Sequence, residues 1–391
     1  MLKKFLINNF KSLVDFEVEF SRFNCLIGLN GAGKSTLLQA IDFASSLMTG
    51  EVESWLSKRG WSSKDVNSLL VSRAVARNIQ LGFEVQIDND CYRWDAVYTH
   101  FNRACHAEKI VRQRDQTTLF TSSRGFFSNG SKDKSDKINF LYQGSVLPHL
   151  KEELLTDEVI KVKKRIGSLR SMDLLSPHLL RKKAKRATEG DIGMGGEHLS
   201  AFIHQLSDEQ KQQLQQQLQR YYPQILFLKT KALRSGWVQL EMTEKYQKSN
   251  GEDELIVTEA RHINDGMLRL LAILAQQFSP PETLLFDEIE NGINPEITEQ
   301  VVDALVASPR QTIVTTHSPM VLNYLPDDVA TDSVTLLYKR PDGRTQACKF
   351  FEIPSAAQKL NCLAAGDAML DLSLQDVAIE AEQIRSASHV Q

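Results

Sequence analysis

The sequence predicts an α/β fold built around a buried strand, a phosphate-binding loop and a helix, and three observations carry that prediction. Residues 28–36 read Gly28-Leu29-Asn30-Gly31-Ala32-Gly33-Lys34-Ser35-Thr36, a complete Gly-x4-Gly-Lys-Ser pattern. A short apolar run at 23–27 precedes it, and Leu37, Leu38, Ile41 and Phe43 behind it give a helix an inner face. Two later apolar runs end in groups suited to the same chemistry: 283–286 leads into Asp287 and Glu288, and 311–316 into His317. The four fixed positions of the loop arise by chance in a chain this long about one time in a hundred, given average glycine usage. The strand and helix context makes chance weaker still, so the chain is read as binding a nucleoside triphosphate.

The residue types follow from the chemistry of a polyanion. Gly28, Gly31 and Gly33 allow backbone conformations closed to other residues, so successive N–H groups of the loop from Asn30 to Thr36 can turn inward. The following helix adds the positive end of its dipole, Lys34 reaches the β/γ-phosphates, and the Ser35 hydroxyl ligates Mg²⁺.

Length and composition set wide bounds. A chain of 391 residues suggests two or three structural units, or one nucleotide-binding domain with insertions. A formal charge of −3 argues for no particular partner. Five cysteines (Cys25, Cys91, Cys105, Cys348 and Cys362) form no CxxC pair, which fits a reducing cytosol. No apolar stretch approaches the length of a membrane span, and Lys3 and Lys4 open an amphipathic alternation instead of a signal-peptide core. The expectation is a soluble, cytoplasmic protein.

In order along the chain, strands are expected at 4–8, 16–20 and 23–27, then the loop and a helix to about Met48. Residues 78–121 alternate as strands do, with Ile79, Leu81, Phe83, Val85 and Ile87 against polar neighbours, which implies an antiparallel sheet wet on one face. Residues 122–136, rich in Ser, Gly and Lys, read as a mobile loop, and 138–143 as a further strand pattern ending at Gln143. From 150 to about 220 the chain reads as helical and polar, including a Gln-rich solvated helix at 210–220. Strands return at 225–228 and 237–242, and from Ala260 onward the pattern is a compact α/β unit. The expected division is 1–149, a helical basic insertion or lid at 150–222, and 223–391.

The acids and the histidine complete a catalytic reading. Asp287 would hold a water on Mg²⁺ and Glu288 would activate the attacking water, since adjacent buried acids at a strand end need a cation or hydrogen bonds to offset their burial. His317 would bond the γ-phosphate or orient the lytic water. At 263–271 a polar turn with Asn264, Asp265 and Gly266 opens an apolar helix. It reads either as a second anion site, serving the nucleotide of another subunit, or as an ordinary N-cap.

These motifs, in this order and over almost the whole chain, resemble the ABC-type ATPases of the RecF, SMC and OLD kind, AAA-like ATPases. The opening Ile7-Asn8-Asn9-Phe10-Lys11-Ser12 is similar to that group's first strand and turn. The resemblance implies a P-loop NTPase fold of the ABC head type, with an antiparallel β subdomain and a helical insertion in place of a long coiled coil. It makes Asn264, Asp265, Gly266 and Met267 the signature, Asp287 and Glu288 the Walker B acids, 291–295 the D-loop, His317 the switch histidine and Gln143 the Q-loop metal ligand. ATP and Mg²⁺ are the implied cofactors. A homodimer would sandwich two ATP molecules, each between Lys34 and Ser35 of one copy and Asn264–Gly266 of the other. Departures fall at Asn264, where the group commonly has serine, at Ile289 for proline and at Asn294 for histidine. The metal-dependent nuclease domain of OLD enzymes has no counterpart in the last 75 or so residues, which implies a separate effector protein and a role in DNA transactions or anti-phage defence.

Between 161 and 186 stand ten cations (Lys161, Lys163, Lys164, Arg165, Arg170, Arg181, Lys182, Lys183, Lys185 and Arg186) and one acid, Asp173. Such density suits a nucleic-acid backbone or, equally, a solvated helix face. Two other readings compete with an ATPase: an ATP-gated scaffold with little turnover, and a small-molecule kinase, which leaves the 264–267 and His317 motifs unexplained.

Overall fold

Alternating apolar residues at the start of the chain form two antiparallel strands, β1 (Leu2–Asn8) and β2 (Phe16–Glu19), with Phe5 opposite Val18 and Ile7 opposite Phe16. The next run has no polar face, and it becomes β3 (Phe23–Ile27), buried at every position. The computed structural model describes all residues except 72–77, 131–134, 173–176, 187–189, 191, 194, 280–282 and 389–391, with 170–172, 296 and 388 described by backbone alone. The chain divides into two compact units: Met1–Ser171 with Glu282–Leu285 and Val306–Gln391, and Met172–Pro281 with Phe286–Leu305.

In the first unit, α1 (Lys34–Thr49) and α2 (Val52–Lys58) follow β3. Six strands then come in succession: β4 (Asn78–Ile87), β5 (Asp90–Thr99), β6 (Ala104–Arg112), β7 (Thr117–Ser123), β8 (Phe126–Ser128) and β9 (Asp136–Lys137). With β1 and β2 they make an eight-stranded antiparallel sheet in the order β2-β1-β4-β5-β6-β7-β8-β9. The alternation read at 79–87 puts Ile79, Leu81, Phe83 and Val85 in the core, where Phe83 lies opposite Trp94 and meets Phe5 at 4.6 Å between ring centroids. Phe43 of α1 packs on Phe10, Trp55 and Tyr98 with centroids 5.1–5.5 Å apart, which pins the helix to the sheet. A truncation there costs about 3–5 kcal/mol, a large share of a domain's net stability.

Two local expectations need correcting. Residues 122–136 are not simply a loop, because Phe127 is buried on Phe120 and carries β8 into the sheet; 131–134 lie outside the described residues. Residues 138–143 form no strand, and Leu141 is fully exposed. Helix α3 (Asp157–Gly167), capped by Thr156, packs Val159, Val162 and Ile166 toward α1 and β4.

The second sheet of this unit has six strands. To β3 it adds β10 (Arg170–Met172), β15 (Thr283–Phe286), β16 (Gln311–Thr315), β17 (Val334–Lys339) and β18 (Thr345–Lys349), in the order β10-β15-β16-β3-β17-β18. Strands β16 and β17 run parallel to β3 on either side, so the loops at their carboxyl ends gather at one edge, where α/β sheets bind ligands. The buried Gln311 amide joins the sheets: it accepts from Leu2 N (2.8 Å) and donates to Leu2 O (2.7 Å) and Ser21 O (2.8 Å).

The second unit contains α4 (Pro177–Leu180), β11 (Ala184–Lys185), α5 (Leu199–Gln205), α6 (Asp208–Tyr221), β12 (Ile225–Ala232), β13 (Trp237–Gln247) and β14 (Asp253–Glu259). It continues with α7 (Asp265–Gln276) and α8 (Pro295–Val306). Its sheet runs β11-β13-β12, with β14 also paired to β13. Helix α7 buries Leu268, Leu270, Leu271 and Leu274, and it packs against α4 and α6. The segment expected as one insertion, 150–222, thus holds α3 to α6 with two short strands, and the boundary between units falls inside it at 171/172.

Candidate nucleotide-binding site

The loop after β3 takes the conformation its glycines allow: Gly28, Gly31 and Gly33 have φ of 146°, 76° and 115°. Close approach adds a second demand. A Cβ on Gly28 would lie 2.2 Å from Leu337 O, and one on Gly33 would lie 2.6 Å from Thr345 Oγ1. Helix α1 starts directly behind the loop with no acidic residue in its first turn and no side-chain cap, so its leading N–H groups present their positive end to an outside acceptor. Lys34 is only 6 % exposed. Its Nζ donates to Gly28 O at 2.8 Å and stands 3.3 Å from His317 Nδ1, at the tip of β16. Asn30, Gly31 and Ser35 face outward. A buried ammonium beside uncapped helix N–H groups, with a hydroxyl at the rim, is a donor set for polyphosphate and a cation.

Two groups that hold the loop escaped the sequence reading. Thr345 Oγ1 donates to Ala32 O at 2.9 Å and pairs with Ser12 Oγ at 2.9 Å, while Thr345 N donates to Ser12 O at 2.9 Å. A single threonine 313 residues from its partner leaves no local signal.

In the second unit, Asp287 and Glu288 follow Phe286 directly and are half-buried. Glu288 has φ of 48°, a region non-glycine residues seldom occupy, and its carboxylate accepts from Asn291 Nδ2 at 3.2 Å. Asn264 is the N-cap of α7, with Oδ1 accepting from Met267 N at 2.8 Å. The ordinary-cap reading therefore accounts for its oxygen. Arg181 braces the same turn: its guanidinium donates to Ile263 O at 2.7 Å and pairs with the Asp265 carboxylate. On the other side Gly266 faces Gly292, whose carbonyl would meet a Cβ at 2.7 Å, and Arg269 donates to Asn291 O. The signature-like and D-loop-like segments are thus packed on one another, and Arg181 and Arg269 are contributors the sequence did not single out for this role.

Gln143 does not belong with these residues. Its amide bonds Glu53 N (3.3 Å) and Glu53 Oε2 (3.0 Å), and the neighbouring Ser145 N donates to Leu47 O at 2.8 Å, at the far end of α1. Twelve helical residues separate Leu47 from Ser35, about 18 Å at 1.5 Å per residue. That distance removes Gln143 as a ligand of a metal held at Ser35.

The basic run is also parted. Lys161, Lys163, Lys164 and Arg165 lie on α3 in the first unit, whereas Arg181 to Arg186 lie in the second. Lys161 pairs with Asp88 at 2.9 Å and Arg181 with Asp265, so neither charge is simply solvated. Asp173 and the Arg170 side chain lie outside the described residues.

Residues 23–323 match the AAA_21 family, described as "AAA domain, putative AbiEii toxin, Type IV TA system". The chain belongs to this AAA family. The match begins at β3 and closes just past His317, so it encloses the loop, Asn264, the two acids and the histidine in one family frame. No curated protein matches the chain. Among solved structures, the Smc head domain of Pyrococcus yayanosii superposes with a TM-score of 0.50 at 12% identity, over 96% of this chain and 99% of that one. The Smc head derived from Pyrococcus furiosus gives 0.49 at 15% identity (98% and 99% covered), and the SMC head domain from Thermotoga maritima 0.47 at 11% (89% and 98%). At 12% identity the likeness to the Pyrococcus yayanosii head is one of fold alone. The AAA protein therefore has the α/β P-loop fold of an SMC-type head, with the expected antiparallel subdomain. Among its described residues no helix is long and apolar enough to cross a membrane.

Proposed function

We propose that this AAA-family chain is an ATPase that binds Mg·ATP on the 28–36 loop and uses nucleotide binding to pair two copies and control a separate effector. The observation that carries the reading is the buried Lys34 ammonium, held between Gly28 O and His317 Nδ1 in front of an uncapped helix start. An anion at that spot would offset the buried ammonium charge and accept from the leading helix N–H groups at once.

In this reading Ser35 and Asp287 hold Mg²⁺, which when bound offsets phosphate charge. Glu288 takes the proton of the attacking water. Lys34 and His317 stabilise charge that grows on the γ-phosphate. Asn264, Asp265 and Gly266 of one copy face the nucleotide of the other, with the Asn264 Nδ2 group as the donor that remains once its oxygen caps the helix. In this reading the chain acts in the cytoplasm in anti-phage defence with the effector encoded apart; the family description names a putative AbiEii toxin of a Type IV TA system.

Replacing Glu288 with Gln tests the proposal. An ATPase loses turnover and accumulates ATP-paired chains, read by phosphate release and by an increase in mass on adding ATP in light scattering on a sizing column. Turnover equal to wild type, or a mass that ignores ATP, defeats it; ATP-driven pairing with no measurable turnover in either protein identifies a scaffold.

A further inference from the structure

The small sheet of the second unit has two very different edges. On the β12 side, the Gln-rich helix α6 turns its amides onto the strand's backbone. Gln215 donates to Leu226 O (2.7 Å) and accepts from Leu228 N (3.3 Å), and Gln219 donates to Ile225 O (2.8 Å). Those groups are what an added strand would pair with, so the helix closes that edge. The β14 side carries no such cover among the described residues: β14 pairs with β13 on one side, and no described strand lies on its other side. Its centre is apolar on both faces, with Leu255, Ile256 and Val257 exposed by 57, 43 and 62 %. A free, apolar edge strand in a chain that elsewhere guards its edge marks an interaction surface.

The sequence of the strand points to its occupant. Turned antiparallel on itself about Ile256, it sets Ile256 against Ile256, Leu255 against Val257 and Glu254 against Thr258, an apolar centre that is its own complement. The acids at its ends already have partners in the same chain: Asp253 with Lys245 (2.6 Å), Glu254 with Lys248 (3.5 Å) and Glu259 with Arg261 (2.9 Å). The same register sets Asp253 of one copy against Glu259 of the other, where Lys245 and Arg261 of their own chains offset the two acids. We propose that β14 is an edge on which a second copy of this chain adds its own β14, antiparallel about Ile256, to make one continuous sheet. This interface needs no nucleotide and uses neither the phosphate loop nor the turn before α7, so it stands whether or not the ATP sandwich forms.

The test uses the full chain without nucleotide. Mass by analytical ultracentrifugation at micromolar concentration is expected to be that of two chains, and Ile256→Lys is expected to halve it while leaving a folded chain with a single cooperative melt, its midpoint lowered only by the lost association. In a Cys362→Ser background, Ile256→Cys is expected to form a covalent dimer on mild oxidation, because residues directly opposite across an antiparallel pair lie within disulfide reach. Leu226→Cys, on the stretch of β12 that α6 covers, is the control expected to remain uncrosslinked. A one-chain mass for the wild type without nucleotide overturns the proposal. So does a two-chain mass that survives Ile256→Lys while Ile256→Cys stays uncrosslinked. ATP-driven pairing of the Glu288→Gln protein should survive Ile256→Lys, so the two interfaces fail separately.

Discussion

The Lys34 ammonium and His317 Nδ1 stand 3.3 Å apart although 283 residues separate them in the chain. The contact ties the base of α1 to the tip of β16, and the proposed function gives the two residues different tasks. Lys34→Met removes the buried charge that an anion would meet, and ATP affinity is expected to fall at least about 100-fold, equivalent to about 3 kcal/mol. His317→Ala is expected to leave ATP affinity within a few-fold while kcat falls by about 100-fold or more, the pattern of a contact made mainly in the transition state. Isothermal titration and steady-state phosphate release separate the two. Equal losses of affinity in both variants would contradict the assignment.

Arg181 is expected to act on the turn before α7, not on a nucleic-acid backbone. The charge-assisted bond to Ile263 O contributes about 1.5–3 kcal/mol and the exposed pair with Asp265 about 0–1 kcal/mol, so Arg181→Ala should loosen the Asn264–Gly266 turn. The expected result is weaker ATP-driven pairing, by about 10-fold or more, with nucleotide affinity of the single chain retained. If affinity falls as far as pairing, Arg181 serves general stability instead. For DNA retention, Lys182 and Lys183 are the better substitutions, since they leave this brace intact; loss of salt-sensitive retention in that pair supports the nucleic-acid reading, and unchanged retention removes it.

The glycines of the loop are not interchangeable. Gly28 sits against Leu337 O, whereas nothing lies near a Cβ built on Gly31. Both have positive φ, which costs roughly 1–2 kcal/mol for alanine, but only Gly28→Ala adds a collision with backbone that cannot turn away. Gly28→Ala is expected to lower the melting temperature far more than Gly31→Ala, measured by calorimetry. Similar melts for the two would show that the β17 backbone gives way.

Much of this was legible in the chain because local chemistry wrote it there. The run at 23–27, the loop glycines and the alternation at 79–87 each encode one element through a period or a conformational need, and each lies where that pattern puts it. What could not be read were partners chosen by topology. Thr345 reaches Ala32 only because β18 follows β17 at the sheet edge, and Arg181 reaches Asp265 only after α4 packs on α7. Gln143 illustrates the opposite error: spacing from a strand-like pattern suggested a metal ligand, but the segment is not a strand and lies at the wrong end of α1. The pattern of the Gln-rich stretch implies a helix with a solvated face, while its amides close a strand edge that sequence alone does not reveal.

The last prediction concerns Glu108, a carboxyl buried on β6 beneath the turn at 144–147. It accepts from Ser145 Oγ (2.5 Å), Val146 N (2.8 Å) and Trp94 Nε1 (3.3 Å), yet burial outweighs these donors and pushes its pKa up to about 7 from an ordinary 4.5. Between those values the folded state holds a proton that the unfolded state has released, so unfolding free energy falls as pH rises from about 4.5 to 7 and levels off above that window. The whole change is on the order of 3 kcal/mol. Glu108→Gln keeps the shape without the charge, and its stability is expected to lack this slope. Urea titrations of both proteins at several pH values across the window read the difference directly. Parallel slopes in the two proteins would mean that Glu108 stays ionised inside the fold, its three donors outweighing burial.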